Sequence, residues 1–167
     1  MTKSAIALAC VAVLAGCAQM PQTRPEFQEA VRSGASLSLT DTHVAKRSLD
    51  ETVRLLRPKL SECFDYNVAW SRTEGAAVGM FKEKWQSSVR AIDRNRAEVT
   101  VQRTMSGAVQ KQPEGGYYVV ALDLERIDAT TTKLTYYGAS TSFGTSTWNS
   151  LKQWSEGRAA ACPSGIV

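Results

Sequence analysis

Two stretches in the second half of the chain alternate between apolar and polar side chains. Ala97, Val99 and Val101 alternate with Glu98, Thr100 and Gln102. Further on, Tyr118, Val120, Leu122 and Leu124 mark one side of a second stretch, opposite Asp123 and Glu125. A period of two places each apolar set on one face of a β-strand. Such strands require a sheet with one buried face, and other elements must cover that face.

The covering elements are legible as helical spacing. Ser48-Leu49-Asp50-Glu51 is a capping box, in which the serine hydroxyl and the Glu51 carboxylate each satisfy an orphan amide. Val53, Leu56, Leu60, Cys63 and Phe64 then recur on one helical face, with Pro58 expected to kink the middle. A second helix is expected over 144–157, with Trp148, Leu151 and Trp154 along one side and Gly157 as its stop. Strands are expected at 42–46, at 66–70 and at 133–139. A hairpin of 85–93 with 97–105 should turn at Arg94-Asn95. Residues 71–84, which hold Gly75 and Gly79 among apolar neighbours, read as an apolar loop. The expected fold is therefore α+β: one antiparallel sheet of about five strands, with two helices packed on one face, in the order β-α-β-meander-α.

The N-terminus is a separate signal. Lys3 is followed by an apolar run from Ile6 to Val13, too short to span a bilayer, and then by Leu14-Ala15-Gly16-Cys17. This run of small residues into a cysteine resembles the lipobox of bacterial lipoproteins. The resemblance implies cleavage between Gly16 and Cys17, diacylglycerol on the Cys17 sulfur, and a further acyl chain such as palmitate on its new amino group. Ala18 follows the cysteine; an aspartate there commonly retains such lipoproteins in the inner membrane, so its absence implies the periplasmic face of the outer membrane. On this reading, 1–16 is a signal peptide and 17–41 a lipidated cysteine with a flexible tether. Residues 42–162 form a single domain, and 163–167 a tail.

Processing leaves 151 of the 167 residues, a usual size for one domain, and removes Lys3, so the formal charge falls from +4 to +3. The basic residues are spread along the chain, with no concentrated stripe of the kind nucleic-acid binding requires. Cys10 leaves with the signal and Cys17 carries lipid, so Cys63 and Cys162 remain. In an oxidising exported compartment two cysteines read as a disulfide. The alternative is two buried, unpaired thiols.

Element order, lipobox and size together resemble the helix-grip domains of the C lipoprotein of the β-barrel assembly machinery, over residues 42–162. They are also similar to those of many uncharacterised small outer-membrane lipoproteins. A shared fold does not by itself imply a shared activity.

Catalytic patterns are sparse. His43 is the single histidine, in a polar stretch typical of a surface residue. Metal ligands at zinc-like spacing, a His-Glu-x-x-His pattern and a phosphate-binding glycine loop are all missing from the sequence, and no cofactor is expected. Gly144-Thr145-Ser146-Thr147-Trp148 approaches a nucleophile elbow but carries Trp148 where the turn needs a glycine. Asp123 and Glu125 share a strand face as close neighbours, the spacing a retaining glycan hydrolase needs of its carboxylate pair; a solvated face with basic neighbours is the simpler reading.

The functional expectation is therefore a non-enzymatic lipoprotein that works through contacts with an envelope protein. Tyr117 and Tyr137 are expected on the solvent face of the sheet, opposite the buried side, with Asp123 and Glu125 flanking them as a partner site. The bland alternative is that these tyrosines shield the sheet backbone. The second functional expectation is a carrier or sensor of a small apolar ligand, held between sheet and helices, with Gly75–Phe81 as its lid.

Overall fold

Thr23 opens the first element of the computed structural model, which describes residues 20–34, 37–74, 77–107 and 111–164. The Thr23 hydroxyl accepts from the Glu26 amide at 3.3 Å, and Pro25 sits in the first turn, where its missing N–H costs nothing. The helix that follows, α1, spans Arg24–Arg32. A helix thus lies within 17–41, a stretch expected to be a flexible tether, and the expectation is corrected there. Cys17 lies outside the described residues.

Beyond α1 the chain forms β1 (Ser38–Ala45), α2 (Leu49–Phe64), β2 (Tyr66–Glu74), β3 (Ala77–Asp93) and β4 (Arg96–Met105). It ends with β5 (Tyr117–Arg126), β6 (Thr132–Ala139) and α3 (Ser142–Ser155). The strands make one open antiparallel sheet in the order β1-β6-β5-β4-β3-β2. The α+β class and the single sheet agree with the sequence reading. The described residues contain six strands and three helices, where about five and two were expected.

The Ser48 cap is present: its hydroxyl accepts from the Glu51 amide at 3.3 Å. The Glu51 carboxylate takes the Arg47 guanidinium. α2 continues through Pro58, which lies on its exposed side, so the carbonyl left without a partner can meet water. Leu56, Leu60 and Phe64 from α2 meet Trp148, Leu151 and Trp154 from α3 over the sheet residues Val99, Val101, Leu122, Leu124, Leu134 and Tyr136. This is the main core. No helix among the described residues is long and apolar enough to cross a membrane.

Residues 71–84 are not a loop. Tyr66–Glu74 pairs with Ala77–Trp85 along its length, and Gly79 sits within β3. Gly75 and Ala76 lie outside the described residues, and the rest of the expected lid belongs to β3.

Cys63, at the end of α2, is bonded to Cys162, with Cα atoms 5.3 Å apart. That separation is usual for a bridge. The tail that carries Cys162 is also held by α3: Trp154 donates to the Ala160 carbonyl at 3.1 Å, and Ser150 to that of Ala161 at 3.1 Å.

Candidate functional site

The face of the sheet away from α2 and α3 was the expected partner surface, and α1 lies across part of it. Phe27 stacks on Tyr118 with ring centroids 5.8 Å apart, and Val31 packs with Ala121 and Tyr137. Residues four apart share a helix face, so Arg24 and Gln28 are aimed at the same strand. Arg24 Nη2 donates to Asp123 Oδ1 at 2.6 Å and to the Leu122 carbonyl at 3.0 Å. Gln28 Nε2 donates to Asp123 Oδ2 at 2.9 Å. Arg24 Nη1 also lies 3.4 Å from Glu98.

Tyr137 is therefore only 5% exposed, and the expectation of an open aromatic at this position is corrected. Its hydroxyl accepts from Arg32 Nη2 at 3.0 Å, and the guanidinium carbon lies 4.8 Å from the ring centre. That hydrogen bond is the main reason the Arg32 pKa is raised.

Tyr118 departs from the alternation for a separate reason. Val101 pairs with Val120 and Gln102 with Tyr118, so Val119 is an extra residue in β5. Such a bulge reverses the side-chain phase beyond it. Val119 packs against the main core, while Tyr118 turns to α1. Tyr117 in turn pairs with Arg103, in the cross-strand row that holds Trp85. Tyr117 is half-buried, so the two tyrosines expected to form one patch belong to different surroundings.

Glu125 is the member of the expected group that stays open. It lies 3.4 Å from Lys133, and the register aligns Val44, Lys133, Glu125 and Arg96 across four strands. Val44 is exposed, as is Ile127 just beyond β5. Asp123 and Glu125 thus stand apart in chemistry: one is engaged by α1, the other faces solvent.

The remaining candidates are accounted for by structural contacts. His43 Nε2 lies 3.2 Å from Glu156 Oε1, and its ring meets the edge of Trp148. Trp148 donates to Asp41 Oδ2 at 2.6 Å, and this hydrogen bond leads the causes holding the Asp41 carboxyl below its ordinary pKa. Thr141 caps α3 by accepting from the Gly144 amide at 3.2 Å. An open groove beside α3 is lined by small polar residues, among them Ser142, Thr145, Ser146 and Asn149. Among the described residues no group of three or more His, Cys, Asp or Glu side chains is arranged to hold a metal ion.

The chain matches no family model and no curated protein. Among solved structures it is similar to the crystal structure of Ara h 8.0201, at 13% identity and a TM-score of 0.36. That match covers 72% of this chain and 94% of the other.

The docking of α1 is open to a direct test. Asp123→Ala removes the acceptor shared by Arg24 and Gln28 and leaves a partly buried guanidinium with fewer partners. The expected cost is about 1–3 kcal/mol. Hydrogen exchange should show α1 amides losing protection while α2 keeps its own. Unchanged α1 protection would mean that Phe27 and Val31 suffice to hold the helix.

Proposed function

We propose that this chain is a non-enzymatic lipoprotein of the periplasmic face of the outer membrane. It is anchored by acylated Cys17 and acts through contacts with another envelope protein. The resemblance to helix-grip domains of the β-barrel assembly machinery's C lipoprotein is part of the same proposal.

The observation that carries this reading is the contrast between the inside and the outside of the domain. Among the described residues, one continuous cluster lies between sheet and helices and includes Leu56, Leu60, Phe64, Leu122, Tyr136 and Trp154, each fully buried. Filled interiors suit proteins that work through their surfaces, whereas a carrier of apolar ligands needs a cavity. Outside, the row Val44, Lys133, Glu125 and Arg96 combines apolar area with both signs of charge. We assign the protein partner to this row, with Glu125 near its middle. Tyr137 and Asp123 support the site by holding α1 in place, while Tyr117, in the row of Trp85 and at the other end of β5, is not part of it.

Two measurements test the proposal. Cys17→Ser should yield an unprocessed or soluble form, whereas a variant still cut after Gly16 and membrane-bound would defeat the lipoprotein reading. A photo-crosslinking residue at Glu125 should capture a discrete envelope protein in intact cells, and one at buried Tyr137 should not. Equal capture from both positions, or from neither, would remove the assignment of this row.

A further inference from the structure

β3 is much longer than the strand it shares with the rest of the sheet. It pairs with β4 only from Glu83 onward, although it begins at Ala77. Residues 69–74 and 77–82 are paired with each other, and the two strands project past the end of β4 as a ribbon. Six residues of strand extend about 20 Å. At its base Ser106 braces the ribbon, with its amide on the Lys82 carbonyl at 2.8 Å and its hydroxyl accepting from the Lys82 amide at 2.7 Å.

The ribbon is two-sided. Trp70 pairs with Phe81 across the strands, and their rings stack with centroids 4.5 Å apart. Val68 lies two residues from Trp70 and so shares its face. Met80 and Lys82 flank Phe81 on the opposite face, and Lys84 follows in the same phase. Trp70 is 37% exposed and Met80 65%, and both lysines are exposed. Such side chains are costly to leave in water unless something covers them.

The chain's own connectivity indicates what does. The Gln22 side-chain amide donates to the Lys111 carbonyl at 3.4 Å, and Gln112 is bonded to the Met105 backbone at 2.9 and 2.7 Å. Met105 is the residue of β4 opposite Glu83, where the ribbon leaves the sheet. The N-terminal segment therefore enters the domain at the end from which the ribbon projects. Gln22 is five positions from Cys17, a reach of at most about 18 Å. An acylated Cys17 would hold this end of the sheet against the bilayer, at a distance the ribbon itself can span.

We infer that the β2–β3 ribbon is a second membrane contact, with Trp70, Phe81 and Met80 seated at the boundary between headgroups and acyl chains. This inference rests on the lipoprotein reading. Tryptophan favours that boundary because its ring is apolar while its N–H can still be solvated. Lys82 and Lys84 can bury their stems and keep their ammonium groups among anionic headgroups. The membrane contact fixes the orientation of the domain, and it leaves the row around Glu125, toward the other end of the sheet, facing away from the bilayer.

Trp70 provides the probe, because Trp85, Trp148 and Trp154 are all buried. The full-length lipidated protein is placed in vesicles of phosphatidylethanolamine and phosphatidylglycerol, with either ordinary or brominated acyl chains. Its intact mass is read on the same sample. Bromine should quench the Trp70 emission at least about twofold, with Trp70 defined by difference from Trp70→Phe. Equal emission in the two kinds of vesicle, with acyl groups present on Cys17, would overturn the ribbon contact and leave the lipoprotein reading standing. A blue-shifted but unquenched Trp70 would mean that protein, such as a second copy, covers the ribbon, and would overturn it equally. Absence of acyl mass would overturn both readings.

Discussion

Replacing Cys63 and Cys162 together with serine is expected to lower unfolding stability by about 2–5 kcal/mol. The bridge joins residues 99 apart in sequence, so it closes a loop that contains most of the folded domain. In the chain-entropy account, a loop of that length restrains the unfolded ensemble by up to about 4.7 kcal/mol. Native contacts reduce the loss only slightly, since Ala160 and Ala161 still accept from Trp154 and Ser150 after the bond is gone. Cys63 is nearly buried beside the main core, so serine there also places a hydroxyl in apolar surroundings. Urea titration of oxidised protein and of the double variant measures the difference. Midpoints that agree to within about 0.5 kcal/mol, at equal slope, would show that the bridge adds nothing. Cys162→Ser alone separates the contributions, because it removes the restraint and leaves a small, nearly buried thiol at position 63.

The parts of this fold that were legible in the sequence are those decided by neighbours in the chain. Arg94 and Asn95 set the β3–β4 turn, Ser48 caps α2, and Val99 and Leu122 announce a buried face within their own strands. What escaped notice depends on distant residues. α1 is nine residues long, too short to be stable alone, and is held by Tyr118, Asp123 and Tyr137 from strands about a hundred positions away. Thr23, Pro25 and Glu26 were its local signature, and Phe27 and Val31 its apolar stripe, read through the expectation of a tether. Gly75 and Gly79 suggested a loop because the stacking of Trp70 on Phe81 exists only once the two strands pair. The bulge at Val119 was invisible for a related reason. Uniform alternation assumes an uninterrupted ladder, and one extra residue was enough to move Tyr118 to the other face. The candidate site shared these weaknesses: Glu125 lies where β5 pairs with β4 in unbroken register, whereas Tyr117 lies beyond the bulge and Tyr137 beneath an unforeseen helix.

Gly144→Ala is expected to cost about 3 kcal/mol, a large effect for one methyl group. Gly144 lies in the first turn of α3, where the helix passes directly over the end of β6. A Cβ at this position would overlap the Ala139 carbonyl oxygen, which belongs to the backbone and cannot swing aside. Relief requires α3 to lift from the sheet, and two contacts oppose that movement. Tyr136 donates its buried hydroxyl to the Gly144 carbonyl at 3.2 Å, and its ring stacks on Trp148 of the same helix at 5.2 Å. Burial also raises the Tyr136 pKa, which keeps this donor protonated across the physiological range. Lifting α3 would therefore break a buried hydrogen bond and loosen the main core together. The glycine that gave residues 144–148 their likeness to a nucleophile elbow is thus explained by close helix–sheet approach. Thr145→Ala, one residue later and exposed, serves as the control and should change stability by no more than about 0.5 kcal/mol. Thermal and urea unfolding of both variants test the claim. Equal, small losses would show that α3 can shift without cost, while a large loss confined to Gly144 is the result the packing requires.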